Sequence, residues 1–474
     1  MHAFHYRDGR LFCEDVEAAI AAERFGTPLY LYSAGTILDH YRRLDEALAG
    51  IDYLICYAVK ANSNRAILRL LRDAGAGFDI VSGGELFRAV NAGADTAKCT
   101  FAGVGKSREE IEYALEQGVH SFNIESEAEL DYINEIASAK NRRAPIALRV
   151  NPDVEAQTHQ YISTGKSENK FGIALERGAK VYERASKMPA VTIRGVQMHI
   201  GSQITEAAPF VAAIEKIAPL VSELKSKYGI QFFSIGGGLG IVYESSIASG
   251  EEVWWTKRTM PSPQSSPSGS GGSAAPGEGG MSSRSESKRA LSIQEYANAI
   301  LPSLTRLGLR ILLEPGRLLV GNAGILLTRV RYIKKTAQKK FAIIDAGMND
   351  LIRPALYGSY HEIVPVEKQN CGASGAAFVA ANKSKNTSKT EKMDIVGPVC
   401  ESGDFFAQDR EMPELRAGDL LAVMSAGAYG FVMASNYNSR PLPAEALVRG
   451  NEVALIRKRQ TIEDLIRDEV DPIW

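Results

Sequence analysis

Short apolar runs and amphipathic stretches take turns along the first two thirds of the chain. Runs rich in β-branched and aromatic residues occur at 53–60, 78–82, 99–104, 121–126, 146–152, 191–200, 232–237 and 310–315. Each is strand-length and ends in a polar or glycine-containing turn, the pattern of a buried strand. Between them apolar positions recur at helical spacing, as over Asn64–Ala74, Gly84–Ala92, Arg108–Gln117 and Pro209–Lys227. Eight strands alternating with helices predict an α/β fold, a (β/α)8 TIM-type barrel over residues 33–322. A doubly wound open sheet is the structural alternative.

The texture changes after residue 322. Gly324–Tyr332, Phe341–Asp345, Met393–Val399, Asp419–Ser425 and Glu452–Lys458 read as strands separated by turns. This predicts a mostly β C-terminal domain, a sandwich or barrel, over 323–474, closed by a helix around Thr461–Asp468. Residues 1–32 also contain strand-like runs, Ala3–Tyr6 and Leu29–Tyr32, and are expected to pack with that domain. Of residues 261–288, 20 of 28 are Ser, Gly or Pro. Such a stretch has too little apolar surface to offset its ordering entropy. A flexible insertion at about 249–290 is therefore expected between strands seven and eight, with a second polar loop at 368–392.

With 474 residues and a formal charge of −1, the chain gives no electrostatic reason to bind nucleic acid or an anionic membrane. No uncharged apolar run approaches a membrane span. Arg7, Asp8 and Arg10 stand where a signal peptide would need an apolar core. Five scattered cysteines without a C-x-x-C pair argue against a zinc knuckle or disulfide framework, so no metal is expected and a reducing cytoplasm is.

The candidate chemistry lies at four strand ends. Lys60 closes the run Tyr53–Val59, where burial is expected to lower the pKa of its amine and favour Schiff-base chemistry. The sixth strand ends in Met198-His199-Ile200-Gly201-Ser202-Gln203. The seventh ends in Gly236-Gly237-Gly238-Leu239-Gly240, and the eighth in Glu314-Pro315-Gly316-Arg317. Successive glycines let backbone N–H groups approach a phosphate, and the loops after strands seven and eight are the usual phosphate site of this barrel. A lysine beside a phosphate site suggests pyridoxal 5′-phosphate. That cofactor needs an acid at its pyridine nitrogen, for which Glu314 is the candidate, and a stacking partner, for which His199 is placed.

The segments YAVKANSN (57–64), HIGSQ (199–203), GGGLG (236–240) and EPGR (314–317) resemble those of the alanine-racemase-like, fold-type-III pyridoxal-phosphate decarboxylases. Gly397–Asp404, Asp345–Tyr357 and Gly427–Gly430 narrow the resemblance to the diaminopimelate decarboxylases. The resemblance implies that Lys60 forms the Schiff base with the cofactor. It implies that Gly236, Gly237, Gly238, Ser202, Gly316 and Arg317 hold the phosphate and ring, and that Glu314 pairs with the pyridinium. Arg317, Arg353 and Tyr357 would bind substrate carboxylate. Cys400 would protonate the carbanion, Glu401 would read the distal amino group, and Tyr429 would touch both substrate and cofactor. It further implies a homodimer in which the Cys400 segment serves the neighbouring subunit's site. The implied reaction is decarboxylation of meso-2,6-diaminopimelate to L-lysine, the last step of lysine synthesis.

The residues themselves add one argument: Arg353 and Tyr357, four apart, offer a bidentate cation and a hydroxyl on one helical face. Two alternatives remain at this point: a related decarboxylase for carboxynorspermidine or ornithine, and a catalytically inactive pyridoxal-phosphate-binding regulator. A racemase would be expected to lack the acid at position 314. The departures from the family pattern are the insertion and the 368–392 loop.

Overall fold

The computed structural model describes residues 1–154, 170–257, 290–368 and 390–474. The Ser/Gly/Pro-rich stretch 261–288 and most of the 368–392 loop lie outside the described residues.

Three short strands open the chain: β1 (Phe4–Arg7), β2 (Arg10–Cys13) and β3 (Val16–Glu17). They form a small antiparallel sheet, and β4 (Leu29–Ser33) follows. Eight strands then close a parallel barrel: β5 (Tyr53–Ala58), β6 (Gly77–Ile80), β7 (Cys99–Phe101), β8 (Ser121–Ile124), β9 (Ala144–Asn151), β11 (Val191–Gln197), β12 (Phe232–Ser234) and β13 (Arg310–Leu313). A two-residue strand, β10 (Ile173–Ala174), adds to the edge of β9. The ring closes because β8 pairs with β9 and β13 with β5, each parallel. All eight strands coincide with apolar runs in the sequence, and closure settles the choice against an open sheet.

Helices connect the strands where the sequence supplies caps. The helix Arg108–Gln117 starts from a capping box, with Ser107 and Glu110 bonding each other's backbone N–H, and ends at Gly118 in the left-handed region, φ 69°. The helix Ala208–Tyr228 buries Phe210, Ala213, Ile214, Ile217, Val221 and Leu224 against the barrel, a stripe at three- and four-residue spacing. No described helix is long and apolar enough to cross a membrane.

The remaining strands are β14 (Gly324–Lys335), β15 (Lys340–Ile344), β16 (Ile363–Pro365), β17 (Thr390–Val396), β18 (Phe405–Pro413), β19 (Leu420–Val423), β20 (Ala444–Arg449) and β21 (Glu452–Arg457). They form a mostly antiparallel sheet in the order β18-β17-β15-β14-β4-β20-β21, with β19 pairing both β14 and β16. Strand β4 sits in its centre, antiparallel to β14 and parallel to β20. The N-terminal residues Phe4, Leu11, Leu29 and Leu31 share a core with Ile325, Leu327, Ala422 and Val448.

The helix expected over Thr461–Asp468 is instead one 3-10 turn, Glu463–Leu465. Its start is capped, Thr461 and Asp464 each bonding the other's backbone N–H. Yet Ile462 and Ile466 remain 73% and 63% exposed. Without a surface to bury its apolar face, so short a helix does not propagate.

Candidate active site

The C-terminal ends of the barrel strands surround a cavity of about 230 Å³. It is lined by Lys60, His199, Ser202, Gly236, Gly237, Gly238, Glu314, Gly316, Arg317 and Tyr429 together. These come from four strand ends and, through Tyr429, from the β domain.

Lys60 lies in the 3-10 turn Val59–Ala61 that breaks β5, because the chain must leave the barrel there. Its Nζ donates to Asp79 Oδ2 at 2.6 Å. The expectation that burial would neutralise this amine is overturned. Burial does pull the Lys60 pKa down, but Asp79, with Tyr429 and Glu314 behind it, outweighs burial and raises it. Asp79 itself is fully buried in β6 and also meets Thr100 Oγ1. A charged residue inside the run Gly77-Phe78-Asp79-Ile80 was the signal that could have found it.

Glu314 is buried and accepts from Ser234 Oγ at 2.7 Å and Gln197 Nε2 at 2.9 Å. Burial, then the Asp79 charge, push its pKa up to about 7, against the lowering effect of Ser234, Lys60 and Gln197. A cation arriving beside it would favour the charged form. Ser234 and Gln197 end β12 and β11 and face inward by the period-two alternation of strands.

The glycine loop is bare because nothing else fits. A Cβ on Gly237 would stand 2.3 Å from the Glu314 carbonyl oxygen, and one on Gly238 would stand 2.5 Å from that of Gly201. Gly236 and Gly238 have φ of 71° and 110°, in the region only glycine adopts freely. His199 Nδ1 accepts from the Gly237 N–H at 3.2 Å, which puts the proton of the neutral ring on Nε2. Burial, helped by Arg149 and Lys60, keeps that ring's pKa well below its ordinary value. Tyr429 is held at φ 56°, with its N–H on the Ala61 carbonyl next to Lys60. So bulky a residue in the left-handed region is strained, and strain of this kind gathers at functional sites.

Arg317 is buried, bonds Ser202 Oγ at 3.1 Å and the hydroxyl of Tyr243, and lies 4.9 Å over the Tyr429 ring. Arg353 and Tyr357 do fall on one short helix, Arg353–Tyr357, with the guanidinium 5.8 Å from the Tyr357 ring centroid. They stand outside the cavity lining, joined to it through Tyr243, which also bonds Arg353. Cys400 and Glu401 are not brought in at all. Both are exposed, on a turn that Asp404 fastens by accepting from the N–H groups of Met348 and Val399.

Buried donors and acceptors in this cavity are left over. Arg149 Nη2, Arg317 Nε and Gln197 Oε1 have no partner among the described residues. Buried polar atoms without partners mark a place for a polar ligand. A bare glycine loop, cationic donors, a buried acid and an amine together can take up a phosphorylated aromatic aldehyde, so the residues present fit pyridoxal 5′-phosphate. Sequence reasoning missed Asp79, Arg149, Gln197, Ser234 and Tyr243. The first four are polar positions inside apolar strands; Tyr243 carries no such signal.

Comparison with known proteins supports the same chemistry. Residues 34–258 match the family described as pyridoxal-dependent decarboxylase, pyridoxal binding domain. A diaminopimelate decarboxylase of Pseudomonas aeruginosa is 44% identical over 472 residues, covering 99% of each chain. Among solved structures, the diaminopimelate decarboxylase of M. jannaschii in complex with L-lysine superposes with a TM-score of 0.83 at 36% identity, over 100% of this chain and 99% of that one. The Helicobacter pylori enzyme complexed with L-lysine gives 0.79 at 37%, over 95% and 98%.

Proposed function

The chain belongs to the diaminopimelate decarboxylases, and from that premise we propose how its residues divide the work. The reaction removes one carboxyl group of meso-2,6-diaminopimelate as carbon dioxide and leaves L-lysine, with pyridoxal 5′-phosphate as cofactor. The observation that carries this reading is the buried Glu314, lining the same cavity as Lys60 and the bare glycine loop.

When bound, the cofactor supplies a sink for the electron pair that carbon dioxide leaves behind. Lys60 would hold the cofactor through its amine, and Asp79 keeps that amine in place with a 2.6 Å hydrogen bond. Glu314 keeps a proton on the pyridine nitrogen, oriented by Ser234 and Gln197. His199, which lines the same cavity, would stack against the cofactor ring. The N–H groups of Gly236–Gly238, with Ser202 and the turn at Gly316, bind the phosphate. Arg317, Arg353 and Tyr357 grip a substrate carboxylate, and Tyr429 lies against substrate and cofactor.

Cys400 delivers the proton that replaces the carboxyl group, and Glu401 holds the distal ammonium. Their exposure in one chain supports a homodimer in which they complete the partner's site. The expected location is the cytoplasm.

Two experiments test this. Purified protein should release carbon dioxide from meso-diaminopimelate and not from ornithine or carboxynorspermidine; release from either of those alone would reassign the substrate. Co-expressed Lys60→Ala and Cys400→Ala chains should regain about a quarter of wild-type activity per total site, since random pairing into C2 dimers leaves one complete site in each heterodimer. Confirmed heterodimers no more active than either inactive variant would refute the shared site.

A further inference from the structure

Tyr243 stands where the glycine loop leaves the barrel, and its backbone is pinned there. Gln203 bonds both the N–H and the carbonyl of Ile241, at 3.2 and 2.7 Å. The Val242 carbonyl accepts from Asn322 Nδ2 at 3.0 Å and Ser425 Oγ at 3.1 Å. The ring meets His361 edge-on with centroids 5.2 Å apart. A tyrosine fixed this firmly can impose a geometry on whatever its hydroxyl touches.

That hydroxyl touches two cations. It accepts from Arg317 Nη1 and, at 3.3 Å, from Arg353 Nη2. Both guanidinium carbons also lie near its ring, 5.8 and 5.6 Å from the centroid. The arginines are 5% and 6% exposed, and neither forms an ion pair among the described residues. The Nε of each has no hydrogen-bond partner there. Their remaining bonds go to neutral hydroxyls, Ser202 for Arg317 and Ser359 at 3.3 Å for Arg353. Two buried like charges repel, and each keeps donors to spare. Burial raises the Tyr243 hydroxyl's pKa, but the two arginines override it and the net direction is down. The hydroxyl oxygen thus serves as an acceptor for both cations where the guanidinium groups converge.

Arg317 belongs to the barrel and Arg353 to the β domain. We propose that Tyr243 is a positioning residue that yokes these two arginines into one carboxylate receptor, and thereby sets the preference for a substrate bearing a carboxylate over a bare diamine. This rests on the reading of Arg317 and Arg353 as substrate-binding groups. Free of the yoke, the guanidinium groups would separate and a carboxylate would meet one fork instead of two.

The test compares holoenzyme variants. Tyr243→Phe removes only the oxygen, and Tyr243→Leu removes the ring as well. With Tyr243→Phe, KM for meso-diaminopimelate should rise about tenfold, the scale of one hydrogen bond to a charged group, while kcat moves much less. Calorimetric binding of pimelate, an unreactive dicarboxylate, should weaken by a similar factor, and binding of 1,5-diaminopentane should not change. Tyr243→Leu should match Tyr243→Phe. If the phenylalanine variant keeps wild-type KM and pimelate affinity while the leucine variant loses both, the ring merely packs and the proposal falls. It falls equally if diamine binding weakens as much as pimelate binding. Should wild-type enzyme bind pimelate through Tyr243 yet turn over no diaminopimelate, the yoke stands and the substrate assignment fails.

Discussion

Replacing Lys60 by alanine is expected to abolish turnover, by at least about 10⁴-fold, the scale seen when a covalent-catalysis nucleophile is removed. No other amine among the described residues lines the cavity, so nothing local can take over. The variant leaves Asp79 buried without its 2.6 Å partner. An unpaired buried carboxylate takes up a proton or admits water, so some loss of stability should accompany the loss of activity. The two effects separate in a second measurement. Borohydride treatment of wild-type holoenzyme should fix the cofactor to the chain as a mass increment, and the alanine variant should show none. A variant that still carries the increment at the same stoichiometry would remove Lys60 from the reaction.

The second large effect is expected at Glu314. Glutamine keeps the size of the side chain and its acceptor oxygen for Ser234 or Gln197, so the fold and cofactor affinity should survive. The charge does not. With a pKa near 7 in its buried setting, Glu314 is poised to be ionised once the pyridine nitrogen supplies a facing cation. A neutral amide cannot hold that proton, and turnover should fall on the order of 10²–10⁴-fold, the contribution of a positioned proton-holding group. Retained cofactor absorbance with lost carbon dioxide release is the expected pair of readings. Near wild-type turnover would make Glu314 a structural acid that only orders Ser234 and Gln197.

Much of this site was legible in the chain because barrel chemistry collects at strand ends. Lys60, His199, Gly236–Gly238 and Glu314 each follow an apolar run, and parallel closure carries every such end to one rim. The eight runs also determined the fold class, since β-branched segments alternating with amphipathic helices have few other ways to bury both faces of a parallel sheet. Local chemistry reached further: the Ser107–Glu110 capping box and the Gly118 stop bound their helix without help from the rest of the molecule.

What the chain could not say by itself concerns pairs that meet only after folding. The Lys60 amine was expected to be low because burial was visible in the sequence and Asp79 was not; the two are 19 residues apart and adjacent only because β5 and β6 pair. The terminal segment has helical spacing at Ile462 and Ile466, yet a stripe becomes a helix only against a surface that covers it. Tyr243 follows the glycine loop with no motif of its own, and gains its two arginines from positions 74 and 110 residues away. Periodicity and turn chemistry are local and therefore readable along the chain. Charge compensation and shared hydrogen bonds depend on distances between remote residues, and only the tertiary structure sets those.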